Sequence, residues 1–305
     1  MLRFILRRLL EMIPVLFIVA TVTFFMMRMA PGGPFDQEKQ PTKEIRARLE
    51  AHYGLDQPLY KQYLRQMGHL LHGDLGPSFK YPSRTVNEII ADSFPVSLEL
   101  GLESLVVALV FGLTAGMIAS LKQNSALDHI PMSLSMIGLC VPTFVMGPLL
   151  ISAFALHLDW FNAAGWYFPR DRVLPALTLG AYYAAYIARL TRGGLLEILS
   201  LDFIRTARAK GASEARIIWR HALRGALVPI ATILALSFGT LVSGALVTET
   251  MFAYPGMGKL IYDAVQGNDF NLALAGLLLA TLMTLLANLA ADVAYAVADP
   301  RIAYT

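Results

Sequence analysis

Apolar residues gather into six runs, roughly Leu9–Met29, Val96–Leu121, Pro131–Leu156, Val173–Leu195, Leu227–Thr248 and Leu272–Val297. Each is long enough to cross a hydrocarbon core of about 30 Å as a helix. A polar stretch of about residues 30–95 separates the first two and opens on the helix breaker Ala30-Pro31-Gly32-Gly33-Pro34. Within it, Leu49, Tyr53, Leu59, Tyr60, Tyr63 and Leu64 recur at helical spacing on either side of Gly54–Pro58, which predicts helix over Glu44 to Met67. Gly73-Asp74-Leu75-Gly76-Pro77-Ser78 reads as a turn and Val86 to Ser93 as one more short helix. A second turn, Tyr254-Pro255-Gly256-Met257-Gly258, lies between the last two runs. The pattern predicts an all-α integral membrane protein with six transmembrane helices and a small external domain between helices 1 and 2. Its divisions are residues 1–29, 30–95 and 96–305.

Composition agrees. Of 305 residues, 56% are hydrophobic and 15% charged, where a soluble domain carries about 25% charged. The net charge of +3 is too small to indicate nucleic acid. The first run begins with Arg3, Arg7 and Arg8, like a signal peptide, but its length is that of a span, so a retained first helix is expected. Basic residues set the orientation. Arg189, Arg192, Arg205, Arg208, Lys210, Arg216, Arg220 and Arg224 cluster around the connection after the fourth run, whereas the alternate face has Arg170, Arg172 and Lys259. Short basic loops stay in the cytoplasm, which puts that connection, the N-terminus and the C-terminus with Arg301 inside. Cys140 is the only cysteine, which excludes an intrachain disulfide, and its apolar run predicts a small buried side chain.

Catalytic chemistry finds no constellation here. Gly258-Lys259 fails as a phosphate-binding loop because Ala253 stands where the first glycine belongs and Leu260 where Ser or Thr would hold the metal. His69 and His72 lie one turn apart without metal-site company and read as a surface pair. Intramembrane carboxylates are the remaining candidates: Glu11, Glu99, Glu103 and Asp292, all near run ends. Glu103, and Asp292 with Asn288 one turn before it, are candidate pathway residues.

The strongest local signal is the basic connection, about residues 200–226. Lipid cannot solvate Arg205, Arg208 and Lys210, so Asp202-Phe203-Ile204-Arg205-Thr206-Ala207-Arg208-Ala209-Lys210-Gly211 must lie in water beside the membrane. Asp202 is positioned to cap a short helix and Gly211 to end it in a left-handed turn. Ser213 is positioned to cap a second helix through Ile217, Ile218, Trp219 and Leu223 that feeds the fifth run. The charge alone fits either an anchor on anionic headgroups or a docking element for a soluble partner.

Arg205-Thr206-Ala207-Arg208-Ala209-Lys210-Gly211, followed by His221-Ala222-Leu223-Arg224 and Pro229, resembles the EAA loop of bacterial ABC importer permeases, in the form of the peptide/nickel subgroup. Phe4 to Leu9, Tyr53 to Leu59, Gly73 to Gly76, Glu249 to Phe252, Pro255 to Gly258 and Asp299-Pro300-Arg301 extend the resemblance over nearly the whole chain. Asn268-Asp269-Phe270 departs from it, since relatives often have R-D-x-P there. The resemblance implies a permease subunit in the bacterial inner membrane that moves oligopeptides into the cell. It implies a similar sister permease, two cytoplasmic ATPases carrying the ATP and Mg, and a periplasmic or lipid-anchored peptide-binding protein. No cofactor, metal or catalytic residue is expected on this chain. It also implies that Phe203, Ile204, Arg205, Thr206, Ala207, Arg208, Ala209, Lys210 and Gly211 form the ATPase-coupling helix. The alternatives are dipeptide, glutathione or nickel cargo, a secondary transporter or channel without ATPases, and, least favoured, an intramembrane enzyme.

Overall fold

A computed structural model describes residues 2–29, 33–35 and 42–298. Ala30 to Gly32 of the first breaker, and the ending Asp299-Pro300-Arg301, lie outside the described residues. The described chain is helical: α1 (Leu2–Met29), α2 (Lys43–Tyr53), α3 (Leu59–Leu71), α4 (Val86–Leu121), α5 (Ala126–Cys140), α6 (Thr143–Leu150), α7 (Pro169–Leu199), α8 (Asp202–Ala209), α9 (Glu214–Arg216), α10 (Leu223–Val242), α11 (Leu246–Met251), α12 (Met257–Gln266) and α13 (Phe270–Ala298). π-helical turns, Ile151–His157 and Ile217–Ala222, follow α6 and α9. Among the described residues, five helices are long and apolar enough to span a membrane unbroken; a sixth span requires α5 and α6 to act as one.

That third span departs from the continuous run expected. Pro142 carries no N–H and pushes Val141 into extended backbone (φ −87°, ψ 116°), so the helix stops and restarts at an angle of 111°. Elsewhere helices merge. The expected short helix at Val86–Ser93 is the first part of α4, which continues through Pro95. The fifth run is likewise divided, α10 ending at Val242 and α11 beginning at Leu246. The loop before α13 contains α12, whose apolar side is buried at Met257 and Ala264. Cys140 is exposed, contrary to expectation, because the end of α5 turns it away from the chain's own core.

The chain forms two compact units. One comprises residues 1–97, 243–246 and 255–283. Its core is Val86, Ile89, Ile90, Met257, Ala264, Leu272, Ala273 and Ala275. Here α3 lies on α1, with Tyr63 against Phe24 (5.4 Å between centroids) and its hydroxyl 2.9 Å from Thr21 Oγ1. Asp269, fully buried, accepts from Ser78 Oγ and from the N–H of Lys80 (3.2 Å) and Leu272 (3.3 Å), which ties the end of the first loop to the start of α13.

The other unit comprises residues 98–242, 247–254 and 284–305, with α7 at its centre. α7 is the least hydrophobic of the five unbroken spans and the most buried. Glycines on its neighbours account for this: a Cβ at Gly116 would meet the Ala188 carbonyl and Thr191, and one at Gly138 the Ala181 carbonyl. Backbones this close gain packing contacts without needing large apolar side chains.

Candidate functional site

Three charged arrangements in the second unit are built around α7 and the helix that follows it. The first is α8. Its N-cap is Leu201, in extended backbone, with no side-chain cap. Asp202 is therefore not the cap expected: it occupies the first helical position, its carboxylate 3.4 Å from Arg205 Nη1 and its carbonyl accepting from Thr206 Oγ1 at 3.0 Å. An acid in the first turn still complements the helix dipole. Ile204 is fully buried, and α8 packs on the π turn Ile217–Ala222, whose Ile217 is also fully buried. Phe203, Arg205, Thr206, Arg208, Ala209 and Lys210 are exposed and Ala207 is half-buried.

Gly211 ends α8 with φ +79°, its N–H donating to Arg208 O (2.9 Å) while Ala212 N–H donates to Ala207 O (3.1 Å). This is the left-handed exit expected, and it satisfies carbonyls left open at the helix end. Ser213 Oγ then accepts from Arg216 N–H at 3.4 Å and opens the second arm. Across the turn Arg208 grips Glu214 with two bonds, 2.7 and 3.2 Å. That guanidinium holds the Glu214 carboxyl below its ordinary value.

The second arrangement lies about three turns before α8. Arg192 on α7 donates to both oxygens of Asp128 at the start of α5, 2.6 and 2.7 Å, and Asn124 N–H adds a third bond at 2.9 Å. Asp128 is 1% exposed. Beside it, Leu195 on α7 packs with Ala222 and Ala226 of the second arm, so the same end of α7 is fixed to both neighbours.

The third arrangement is at the opposite end of α7. Arg172 pairs with Glu99 and lies 3.9 Å from Glu103, both on α4. Its guanidinium sits 4.5 Å from the Trp166 ring, and Trp166 in turn meets Tyr254 edge-on at 4.9 Å. Burial, with Glu103 nearby, pushes the Tyr254 hydroxyl above its ordinary value, so it acts as a neutral donor to the Asp171 carbonyl (3.3 Å). Asp171 accepts from Asn162 Nδ2 (2.5 Å) and Phe168 N–H (2.9 Å), fixing the start of α7.

Of the candidate pathway residues, Glu103 therefore faces Arg172. Asn288 (exposed) and Asp292 (half-buried) lie a turn apart on α13 and take no part in the Arg172 contacts. His69 and His72 have separate partners, Asp74 (2.7 Å) and the Gly68 carbonyl (2.8 Å). Among the described residues no cluster of three metal-ligating side chains occurs. Sequence reading used Arg172 and Arg192 only as topology markers and passed over Asp128. Their signal was charge close to apolar runs; their partners depend on how the helices cross.

A helical membrane component with a basic helix–glycine–helix connection defines a class, and comparison with known proteins identifies it. Residues 112–304 match the family model "Binding-protein-dependent transport system inner membrane component", and residues 1–101 match the companion N-terminal model of the same systems. The oligopeptide transport system permease protein OppB of Haemophilus influenzae is 46% identical, and that of Salmonella typhimurium 45%, each over 100% of both chains. The dipeptide transport system permease protein DppB of Bacillus subtilis is 39% identical over 99% of this chain and 98% of its own. Among solved structures, the MetNI methionine ABC transporter in an inward-facing conformation matches with a TM-score of 0.59 at 21% identity, over 69% of this chain and 96% of that one. The chain belongs to the family of inner membrane components of binding-protein-dependent transport systems. It is a multi-pass permease with the ABC importer permease fold.

Proposed function

We propose that this permease moves oligopeptides inward across the cytoplasmic membrane, paired with a similar sister subunit. Two cytoplasmic ATPases supply ATP and Mg, and a periplasmic or lipid-anchored peptide-binding protein delivers cargo to the outer face. The oligopeptide cargo is supported by 45–46% identity to OppB proteins, against 39% to dipeptide and glutathione permeases. The basic connection faces the cytoplasm, as do both termini, by the positive-inside rule.

The observation that carries the coupling role is the shape of α8. One side is anchored through Ile204 while Phe203, Arg205 and Lys210 project outward. A lipid anchor needs the charge but not a rigid lever closed by Gly211 and the Arg208–Glu214 clamp. ATP-driven closure of the ATPase pair would move such a lever as a body, and the difference in its contacts between states would carry the coupling.

Gly211→Asp tests this. Nothing lies within 4 Å of a Cβ at Gly211, so the substitution acts through its left-handed backbone and added charge rather than a clash. The expected result is normal membrane insertion, weakened ATPase co-purification and loss of peptide uptake in proteoliposomes. Full uptake by the mutant, or by the chain without ATPases, would overturn the coupling role and favour the headgroup anchor.

A further inference from the structure

In the first unit a cavity of about 60 Å³ is lined by Arg28, Gln62, Arg65, Gln66, His69 and Asn271, with Tyr53, Phe79 and neighbouring backbone completing it. A single water occupies about 10–15 Å³ on this scale, so there is space for one small ion or a few waters. Among the described residues no aspartate or glutamate lines the cavity.

Its donors are fixed and underused. The Arg28 guanidinium lies against two rings, Phe24 at 5.1 Å and Phe270 at 5.3 Å. One of its terminal nitrogens donates to Gln62 Oε1. Gln62 is oriented for this because its Nε2 donates to the carbonyls of Leu55 (2.9 Å) and Gln57 (2.6 Å). Arg28 Nε remains buried with no acceptor, and so does Nε2 of Gln66, a residue only 9% exposed. Arg65 adds a second guanidinium, bonded to the neutral Gln57 Oε1 at 2.6 Å. His69 is held by Asp74, which does not line the cavity. Among the described residues neither arginine has a carboxylate partner.

We propose that this cavity binds one small monovalent anion, a halide or a carboxylate. Arg28 is half-buried and Arg65 exposed, but a cation partly withdrawn from water without a counter-charge is costly, and the buried Arg28 Nε without an acceptor adds to that cost. Water satisfies the donors but leaves the charge. An anion accepts from Arg28 Nε and Gln66 Nε2 and balances the two guanidinium groups. The site would pin α3 to the end of α1 and the start of α13, the three elements that supply its donors.

The test uses the full-length chain in detergent, first in Hepes–NaOH free of halide and carboxylate, whose bulky sulfonate is the sole added anion. Added bromide or formate should raise Tm saturably, and bromide-soaked crystals should show an anomalous peak beside Arg28 Nε and Gln66 Nε2. Gln66→Leu keeps the volume and removes the donor; it should fold, lose the peak and need at least tenfold more bromide for the same shift. Arg28→Lys, which retains a cation without the planar fork, should bind more weakly than wild type. Displacement of bromide by a free-acid tripeptide but not its C-terminal amide assigns the site to a peptide carboxylate. No displacement by either assigns it to a free anion. An unchanged Tm with no anomalous peak, or identical bromide responses in wild type and Gln66→Leu, would overturn the proposal.

Discussion

The two ends of α7 solve one problem in opposite ways. Arg172 and Arg192 stand twenty positions apart on this helix, ~30 Å at 1.5 Å per residue, close to the thickness of a hydrocarbon core. Each has to meet its counter-charge at a membrane boundary. At the α8 end, Arg192 and Asp128 form a closed bidentate pair with a third bond from Asn124, and the carboxylate is sealed from water. At the other end one guanidinium is shared between two carboxylates. Arg172 Nε and Glu103 Oε2 are buried there with no partner. A fully satisfied buried pair specifies one geometry; a partly satisfied one has room to exchange partners. The difference separates a closed joint near the base of α8 from a partly satisfied cluster at the far end of α7.

Removing the fixed joint should have the largest effect. Asp128→Ala leaves Arg192 without its carboxylate in a packed site, the costly way to break an ion pair. The expected outcome is a several-fold fall in steady-state abundance in the membrane and a lower Tm for what remains. The reversed pair, Asp128→Arg with Arg192→Asp, should recover part of both. Near-normal abundance of the single variant would show that α7 is held by its glycine crossings and the Leu195–Ala222–Ala226 cluster alone, and the contrast between the ends would fall.

At the labile end, the two carboxylates should separate stability from transport. Glu99 is the close partner of Arg172, so Glu99→Gln should lower stability by about 1 kcal/mol, the upper range for a partly exposed pair. Glu103, at 3.9 Å, should cost less than about 0.5 kcal/mol as Gln, yet change uptake rate if the cluster exchanges partners during the cycle. Thermal melts and proteoliposome uptake, read on the same preparations, check this. Equal stability losses with unchanged uptake would make the cluster a second fixed joint.

How much of this could be read in advance differs by feature. Spans were legible because a bilayer imposes a length and an apolar composition on each segment. The α8–Gly211–Ser213 connection was legible because charge, glycine and cap residues act locally. The break at Val141–Pro142 was visible only as a proline, since kinking and full interruption begin from the same residue. The merging of Val86–Ser93 into α4 was hidden by Pro95, which this helix accommodates. The partners of Arg172 and Arg192 could not be read, because Glu99 and Asp128 are more than sixty positions away and only helix packing brings them together. The donor-lined cavity was hidden for the same reason: Arg28, Gln66 and Asn271 come from three separate helices.

A third pair extends the contrast into water. Arg208 and Glu214 make the same two-bond grip as Arg192 and Asp128, but both are exposed, and they close a turn rather than join two spans. The bond lowers the Glu214 carboxyl from its ordinary value. A carboxylate depressed in the folded state contributes stability above its unfolded pKa and loses it as pH falls through the folded value. Order in the Gly211 turn should therefore hold from neutral pH down to about 4.3, the ordinary glutamate value, and loosen below it. Glu214→Gln should remove that pH dependence by holding the turn at neutral pH in the partly loosened state wild type reaches in acid, while leaving Tm at pH 7 nearly unchanged. Amide hydrogen exchange at Gly211 and Ala212, followed across this pH range, is the direct measurement. Protection that disappears at neutral pH in Glu214→Gln would show that the salt link, not the left-handed glycine, holds the two arms together.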